Sequence, residues 1–288
     1  MKKLLIILFS LILCTVTQAV NGAVLSPQTT ETGDVIPIKW LGNVELDSIN
    51  EYSPQEDGLS AFSAPPDWLT QRCNTLYNHL GQLEDGTNIQ SLYNKLFDAM
   101  SAFTCDYSGK TTYYNSMHFI TINLNNLSSL DFQEMQDAYY AVIQDNPQFF
   151  YIGQNIASFT VNGERYFAVQ LANEYVTADN RLAEVDAITS GIEGYDKIIN
   201  KNMSAYSIEK NIHDKLIRDN NYAYDSEGNP SNETFAHSIA GSLNSTYGGG
   251  VCESYSKTFK LLLNRYLVPS YYVAGLANGG GHAWNYIQ

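Results

Sequence analysis

Apolar side chains recur at helical spacing over much of the chain after residue 65. This pattern predicts one helix from about Trp68 to Leu83, a second around Leu92 to Met100, and a third that begins at Asp131. Further helices are predicted at residues 179–201, 207–218 and 233–244. Strand-like alternation predicts strands at residues 118–124, 149–152, 156–161 and 166–171, with an Asn-Gly turn between the last two.

The pattern divides the chain into four parts. Residues 1–23 have the layout of a leader, and residues 24–64 are polar and predict an irregular lead-in with a strand near residues 35–41. Residues 65–115 predict a mostly helical N-terminal region that ends in a loop from about residue 105. Residues 116–288 mix helices and strands, so the predicted fold class is α+β.

The leader is typical of a secretory signal peptide. Two lysines precede an apolar run from Leu4 to Val16, and small residues follow, which predicts cleavage after Ala19 or Ala23 and a secreted or cell-surface protein. The run is shorter than the roughly 20 residues of a membrane-spanning helix, and no later segment predicts a span. A lipoprotein anchor at Cys14 is the alternative, which the leucine before it disfavours.

The net charge of the chain limits which classes of partner are expected. The formal net charge is -14, and loss of the two lysines of the leader makes it -16. An acidic body of this kind repels nucleic acid and anionic membranes, so neither is a predicted partner. The five histidines are scattered and the cysteines lack metal-ligand spacing, so neither a metal nor a cofactor is predicted.

The cysteines point to one unusual thiol. Cys14 leaves with the leader, which leaves three cysteines in an oxidising compartment. Cys73 and Cys105 lie in neighbouring helical segments and could form a disulfide. Cys252 would then carry the remaining thiol.

Cys252 follows three glycines and precedes an apolar helical run. At a helix N-terminus, the partial positive charge and the free N–H groups favour a thiolate and can stabilise an oxyanion. Tyr247, Gly250 and Val251 are the nearby candidates for a site wall or an oxyanion donor. A cysteine taken by itself is more often a buried core residue or half of a disulfide. The prediction that Cys252 is a nucleophile therefore depends on finding a base that partners it.

His282 is that partner in the sequence. It begins a strand-like run whose alternation places His282, Trp284 and Tyr286 on one face. We expect His282 to lie over the thiol as general base and acid, and Trp284 to shield the pair from water.

The two motifs together resemble bacterial transglutaminase-like proteins. The run from Gly250 to Ser256, its leucine-rich helix and the later His-Ala-Trp-Asn are the specific part of the resemblance. Weaker matches are His213-Asp214, Asn221-Tyr222 and the run from Asp145 to Tyr151, and the whole covers about residues 118–288. His213-Asp214 is more simply a structural pair.

The resemblance implies a papain-like α+β core over residues 205–288, with the cysteine helix packed on an antiparallel sheet. Cys252 would be the nucleophile and His282 the general base and acid. The family's third residue, an aspartate, follows the histidine on the next strand, so we expect it beyond Gln288 and expect the core to be incomplete at its C-terminus.

Two functions follow from the resemblance. One is a thiol enzyme that forms a thioester from an amide or peptide bond of a protein, for example a cell-wall peptide. It would act as a peptidase or amidase, or as a transglutaminase-type acyltransferase. The other is a catalytically inactive binding module at the cell surface or wall.

Overall fold

The computed structural model describes residues 35, 37–49, 51–52, 65–105, 111–127, 129–200, 202–277 and 279–287. The predicted signal peptide, the alternative anchor at Cys14 and most of the lead-in lie outside these residues. None of the helices in the described ranges combines the length and the apolar character needed to cross a membrane.

A six-stranded mixed sheet forms one side of the molecule. Its strands are β1 (Lys39–Leu46), β2 (Glu51–Tyr52), β3 (Thr111–Tyr114), β4 (Met117–Asn123), β5 (Ile152–Val161) and β6 (Glu164–Leu171). The spatial order is β1-β5-β6-β4-β3-β2, in which β1 pairs parallel with β5 and the other pairs are antiparallel. Asn162 and Gly163 have positive φ angles of 51° and 82° at the β5–β6 turn, which confirms the predicted hairpin.

The strand expected near residues 35–41 is present as β1, with its bounds shifted to residues 39–46. The loop expected from about residue 105 to residue 115 contains β3, so that prediction is wrong for residues 111–114. The bounds of β1 depend on its pairing with β5, more than a hundred residues away. Local composition does not determine the register of such a pairing.

Eight α-helices occur in the described ranges. They are α1 (Asp67–Thr70), α2 (Thr75–Leu80), α3 (Gly86–Cys105), α4 (Phe132–Asp145), α5 (Ala178–Asp196), α6 (Ala205–Asp219), α7 (Ile239–Leu243) and α8 (Cys252–Arg265). One apolar core contains side chains from α3, α4, the large sheet, α5, α6 and α8. The Trp68 indole N–H also donates to Thr189 Oγ1 at 3.0 Å. The helical N-terminal region therefore packs into the same core as the rest of the chain, and the α+β fold class is confirmed.

Two small sheets flank α8. Strands β7 (Asn221–Tyr222) and β8 (Gly249–Gly250) pair parallel just before the helix begins. Strands β9 (Ser270–Ala277) and β10 (Gly280–Ile287) form an antiparallel hairpin that packs on it. The Asn285 side chain secures the hairpin by donating to the Ser256 carbonyl at 3.0 Å.

The disulfide that we considered between Cys73 and Cys105 is not formed. Cys73 has a free thiol, 3.2 Å from Thr75 Oγ1 and 3.5 Å from Lys260 Nζ. Tyr93 of α3 donates its hydroxyl to the Cys73 carbonyl, and Cys105 lies three turns further along that helix. Since each residue adds about 1.5 Å to a helix, the two cysteines are too far apart to bond.

The predicted start of α4 at Asp131 is confirmed by a capping box. The Asp131 carboxylate accepts the Glu134 N–H at 2.9 Å, and the Glu134 carboxylate accepts the Asp131 N–H at 2.8 Å. The reciprocal bonds satisfy two backbone donors that the helix itself cannot pair.

Replacing Asp131 with alanine is expected to lower the free energy of unfolding by about 1 kcal/mol, because one of these donors loses its acceptor. Urea unfolding followed by circular dichroism measures the change. Asp186→Ala is the control, since Asp186 is exposed in the middle of α5 and should change stability by less than about 0.5 kcal/mol. Equal effects of the two substitutions would argue against the capping role.

Candidate active site

Close backbone packing fixes the start of α8. A Cβ atom on Gly249 would lie 1.8 Å from the Asn221 carbonyl oxygen, and Gly249 has a φ of +150°. A Cβ atom on Gly250 would lie 2.3 Å from Ser254 Cβ. Only glycine allows this approach, which brings β7 against the residues that lead into the helix.

Cys252 is the first residue of α8, as the sequence predicted. Its backbone N–H donates to Tyr222 Oη at 3.2 Å, so β7 supplies a hydroxyl at the helix N-terminus. Its Sγ atom accepts the backbone N–H of Ala283 at 3.4 Å. The residue is 6% exposed and packs with Tyr272 and Ala283.

The bond from Ala283 places the thiol beside β10. A strand N–H points in the plane of its sheet, so Sγ lies alongside the strand at the level of Ala283. His282 is the preceding residue, and its ring stacks on Trp284 at 6.2 Å between ring centres. The structure therefore brings the backbone of His282 to the thiol.

Trp284 packs on His282. It shares a face with His282, as predicted, is 40% exposed and lies across Gly275 of β9. The buried environment of Cys252 comes from Tyr272 and Ala283, and Val35 packs against this cluster. That Trp284 shields the cysteine and the histidine from water stays a prediction.

The other predicted oxyanion candidates have structural partners. The Tyr247 hydroxyl donates to Glu184 at 2.9 Å, and its ring stacks on Phe235 with ring centres 4.2 Å apart. The Val251 N–H donates to the Ala236 carbonyl at 2.9 Å, so it is not available to a substrate.

Gly250 is also used structurally. It belongs to β8, and its carbonyl accepts the Ala223 N–H at 3.1 Å. The Cys252 N–H also has a partner, since it donates to Tyr222 Oη, and this hydroxyl lies at the N-terminus of α8. Tyr222 therefore replaces Tyr247 as the hydroxyl at the candidate site.

A buried charged network lies directly behind the thiol. Glu253 Oε2 is 2.9 Å from His237 Nδ1, and Glu253 Oε1 is 2.7 Å from Lys257 Nζ. His237 Nε2 is 2.8 Å from the Ser231 carbonyl oxygen. Burial alone would raise the pKa of Glu253, but the Lys257 charge and the His237 hydrogen bond outweigh it and hold the pKa at about 2.

Tyr272 connects this network to Cys252. Its side chain is hydrogen-bonded to Glu253 and packs against Cys252. Burial, followed by the proximity of Glu253 and of Cys252, raises the pKa of Tyr272 well above its ordinary value. The Tyr272 hydroxyl therefore stays neutral and links the carboxylate to the thiol region.

The pair His213-Asp214 lies away from the thiol. The two side chains bond to each other at 3.1 Å, and the His213 ring contacts Phe259 edge-on. Phe259 is about two turns along α8 from Cys252, which fits the structural interpretation of this pair.

Sequence reasoning missed Tyr222, His237, Glu253 and Tyr272 as members of the site. The spacing of Glu253 and Lys257, four residues apart on a helix, was a usable signal for the ion pair. Nothing in the local sequence connects Tyr272 to either of them, because the contact depends on how β9 folds back.

No protein-family model matches the chain, and no curated protein matches it. Within the described ranges, no three or more His, Cys, Asp or Glu side chains are grouped so that they could hold a metal ion.

Proposed function

We propose that this protein is a secreted thiol enzyme that acts on amide or peptide bonds through Cys252 and His282. One observation carries the proposal: the Cys252 thiol sits at the N-terminus of α8 and accepts the N–H of the residue that follows His282. A thiol at a helix N-terminus, beside a strand that carries a histidine at the adjoining position, has the parts from which a nucleophile and its base are built.

The proposed reaction has two steps. The Cys252 thiolate attacks the carbonyl carbon, a C–S bond forms, and the negative charge passes to the carbonyl oxygen at the helix N-terminus. The Tyr222 hydroxyl, which accepts the Cys252 N–H, is the proposed donor at that position. The C–N bond then breaks, protonated His282 gives its proton to the leaving amine, and a thioester remains.

The second step releases the acyl group. Neutral His282 removes a proton from a water molecule or an amine, which attacks the thioester, and the sulfur leaves as thiolate. Water gives hydrolysis, as in a peptidase or amidase, and an amine gives acyl transfer, as in a transglutaminase. A protein or peptide outside the cell, such as a cell-wall peptide, is the proposed substrate.

We further propose that residues 205–288 form a papain-like, transglutaminase-like core. Its support is the packing of the cysteine helix on the antiparallel β9–β10 hairpin, together with the resemblance of the two motifs.

Burial of the thiol favours a second candidate function. Cys252 is only 6% exposed, which is low for a residue that attacks a substrate. A catalytically inactive binding module at the cell surface would keep such a cysteine as a packing residue.

The pH dependence of alkylation at Cys252 decides between the two functions. We expect the wild-type thiol to react down to about pH 6, and His282→Ala to react only as the pH approaches about 8.5, since the helix alone activates it less. Peptide-resolved mass spectrometry assigns the alkylated cysteine.

His213→Ala is the matched control, because this histidine also contacts α8 but lies away from the thiol. Its alkylation profile should follow that of the wild type. A wild-type thiol that reacts only near pH 8.5, with no change in His282→Ala, would reject the enzyme and favour the binding module.

A further inference from the structure

The chain that leads into β1 crosses the candidate site. Val35 packs against the Cys252–Tyr272–Ala283 cluster. A Cβ atom on Gly281 would lie 3.5 Å from Val35 Cβ and 3.6 Å from its backbone nitrogen and oxygen. Both the side chain and the main chain of Val35 therefore contact β10 immediately before His282.

A small cavity lies beneath the same stretch. Its volume is about 90 Å³, and Val35, Ile38, Tyr140, Phe150, His237 and Tyr272 are among the residues that line it. This space is larger than a single water molecule needs. Glu253 and Lys257 line it as well, and Tyr272 both lines it and packs against Cys252.

Strand β1 holds this stretch in place. Lys39 pairs with Asn155 and Trp40 with Ile156, so an eight-residue strand begins directly after Ile38. A segment tethered in this way has a high effective concentration at the surface it touches, and a free peptide must compete with it.

We infer that Val35, Pro37 and Ile38, here named the strap, occupy a peptide-binding groove beside Cys252. The groove takes an extended peptide with a branched aliphatic side chain at the position of Val35, and the strap is its built-in competitor. The low exposure of the thiol then reflects occupancy of the groove. The inference rests on the proposed thiol site, but it concerns access to Sγ and not catalysis.

The alkylation rate of Cys252 in the full chain tests the strap. Val35→Ala removes side-chain contacts with the cluster, and we expect the rate at pH 8.5 to rise about tenfold as the tether loses its anchor. Val44→Ala is the matched control, because it makes the same deletion within β1 where the side chain packs in a different cluster. Equal rates for wild type and Val35→Ala, or equal increases in both variants, would overturn the inference.

A crosslink gives the converse test. The 3.5 Å between Val35 Cβ and the ideal Cβ of Gly281 fits a disulfide, so the double variant Val35→Cys/Gly281→Cys can lock the strap in place. We expect the oxidised form to alkylate at Cys252 at least tenfold more slowly than the reduced form of the same variant. The same rate in both forms would overturn the inference.

The ligand class is tested by adding peptides to Val35→Ala. Acetylated and amidated Val-Ile-Pro-Ile should slow alkylation of Cys252, whereas the same peptide with Asp in place of Val should not. Equal effects of the two peptides would overturn the assignment of a branched aliphatic side chain.

The strap and the proposed catalysis can fail independently. If the strap variants change the alkylation rate as expected while His282→Ala leaves the pH profile unchanged, the groove stands and the proposed catalysis fails. If His282→Ala changes the pH profile while the strap variants leave the alkylation rate unchanged, only the strap is rejected.

Discussion

Replacing Glu253 with glutamine is expected to lower the free energy of unfolding by about 3 kcal/mol at pH 7, because it leaves the Lys257 ammonium without its counter-charge. The substitution also removes the carboxylate that contacts two other side chains. Glu253 Oε2 lies 2.9 Å from His237 Nδ1, and the same carboxylate is hydrogen-bonded to Tyr272. Because Lys257 is partly exposed, water can solvate its ammonium group. The expected loss of stability is therefore at the low end of the range for removing one partner of a buried ion pair. Urea unfolding at pH 7 measures it.

The loss should depend on pH in a defined direction. The folded pKa of Glu253, about 2, lies below the unfolded value of about 4.3. The stabilisation by its carboxylate is therefore complete above the unfolded pKa and is lost as the pH falls through the folded one. The difference between wild type and Glu253→Gln should shrink between about pH 4.3 and pH 2.

Glu227→Gln is the control for this series. Glu227 is exposed in the turn after β7, and its substitution should change stability by less than about 0.5 kcal/mol at any pH. A loss of under 1 kcal/mol for Glu253→Gln, or a loss that stays constant on acidification, would contradict the role of the buried carboxylate.

Gly249→Ala is expected to cost about 4 kcal/mol or more, a loss that can prevent folding. The new Cβ would lie 1.8 Å from the Asn221 carbonyl oxygen, which is backbone and cannot move aside by a side-chain rotation. The β7–β8 pair would have to separate. Since β7 carries Tyr222, the Cys252 N–H would lose its hydroxyl partner as well.

The neighbouring glycine provides the control. Gly248 has a φ of +71° but nothing within 4 Å of an added Cβ, so Gly248→Ala should cost only about 1 kcal/mol from backbone strain. Thermal unfolding of the two variants, combined with the alkylation rate of Cys252, separates strain from steric collision. Similar stability of the two variants would show that β7 and β8 can separate at little cost.

Local signals in the sequence were sufficient for most helices and for the start of the candidate site. The Asp131 capping box, the Asn162-Gly163 turn and the position of Cys252 at a helix N-terminus all depend on residues close together in the chain, and all three are confirmed. Each is determined by backbone donors or φ angles that neighbouring residues satisfy.

Contacts between distant segments could not be predicted in the same way. The sequence placed Tyr247 near the oxyanion because it precedes the glycines, but Glu184 of α5 accepts its hydroxyl. The link from Tyr272 through Glu253 to His237 joins three elements that come together only after folding. Side-chain direction and pairing register decide such contacts, and neither can be deduced from composition.

The parallel pairing of β1 with β5 joins two strands that are more than a hundred residues apart in the chain. Because this pairing closes a long loop, we expect β1 to dock late in folding. Until it docks, the edge of β5 presents unpaired backbone groups that an identical strand from a second copy can satisfy. Concentrated refolding mixtures should therefore contain strand-exchanged dimers, in which each copy also contributes the strap to the other's candidate site.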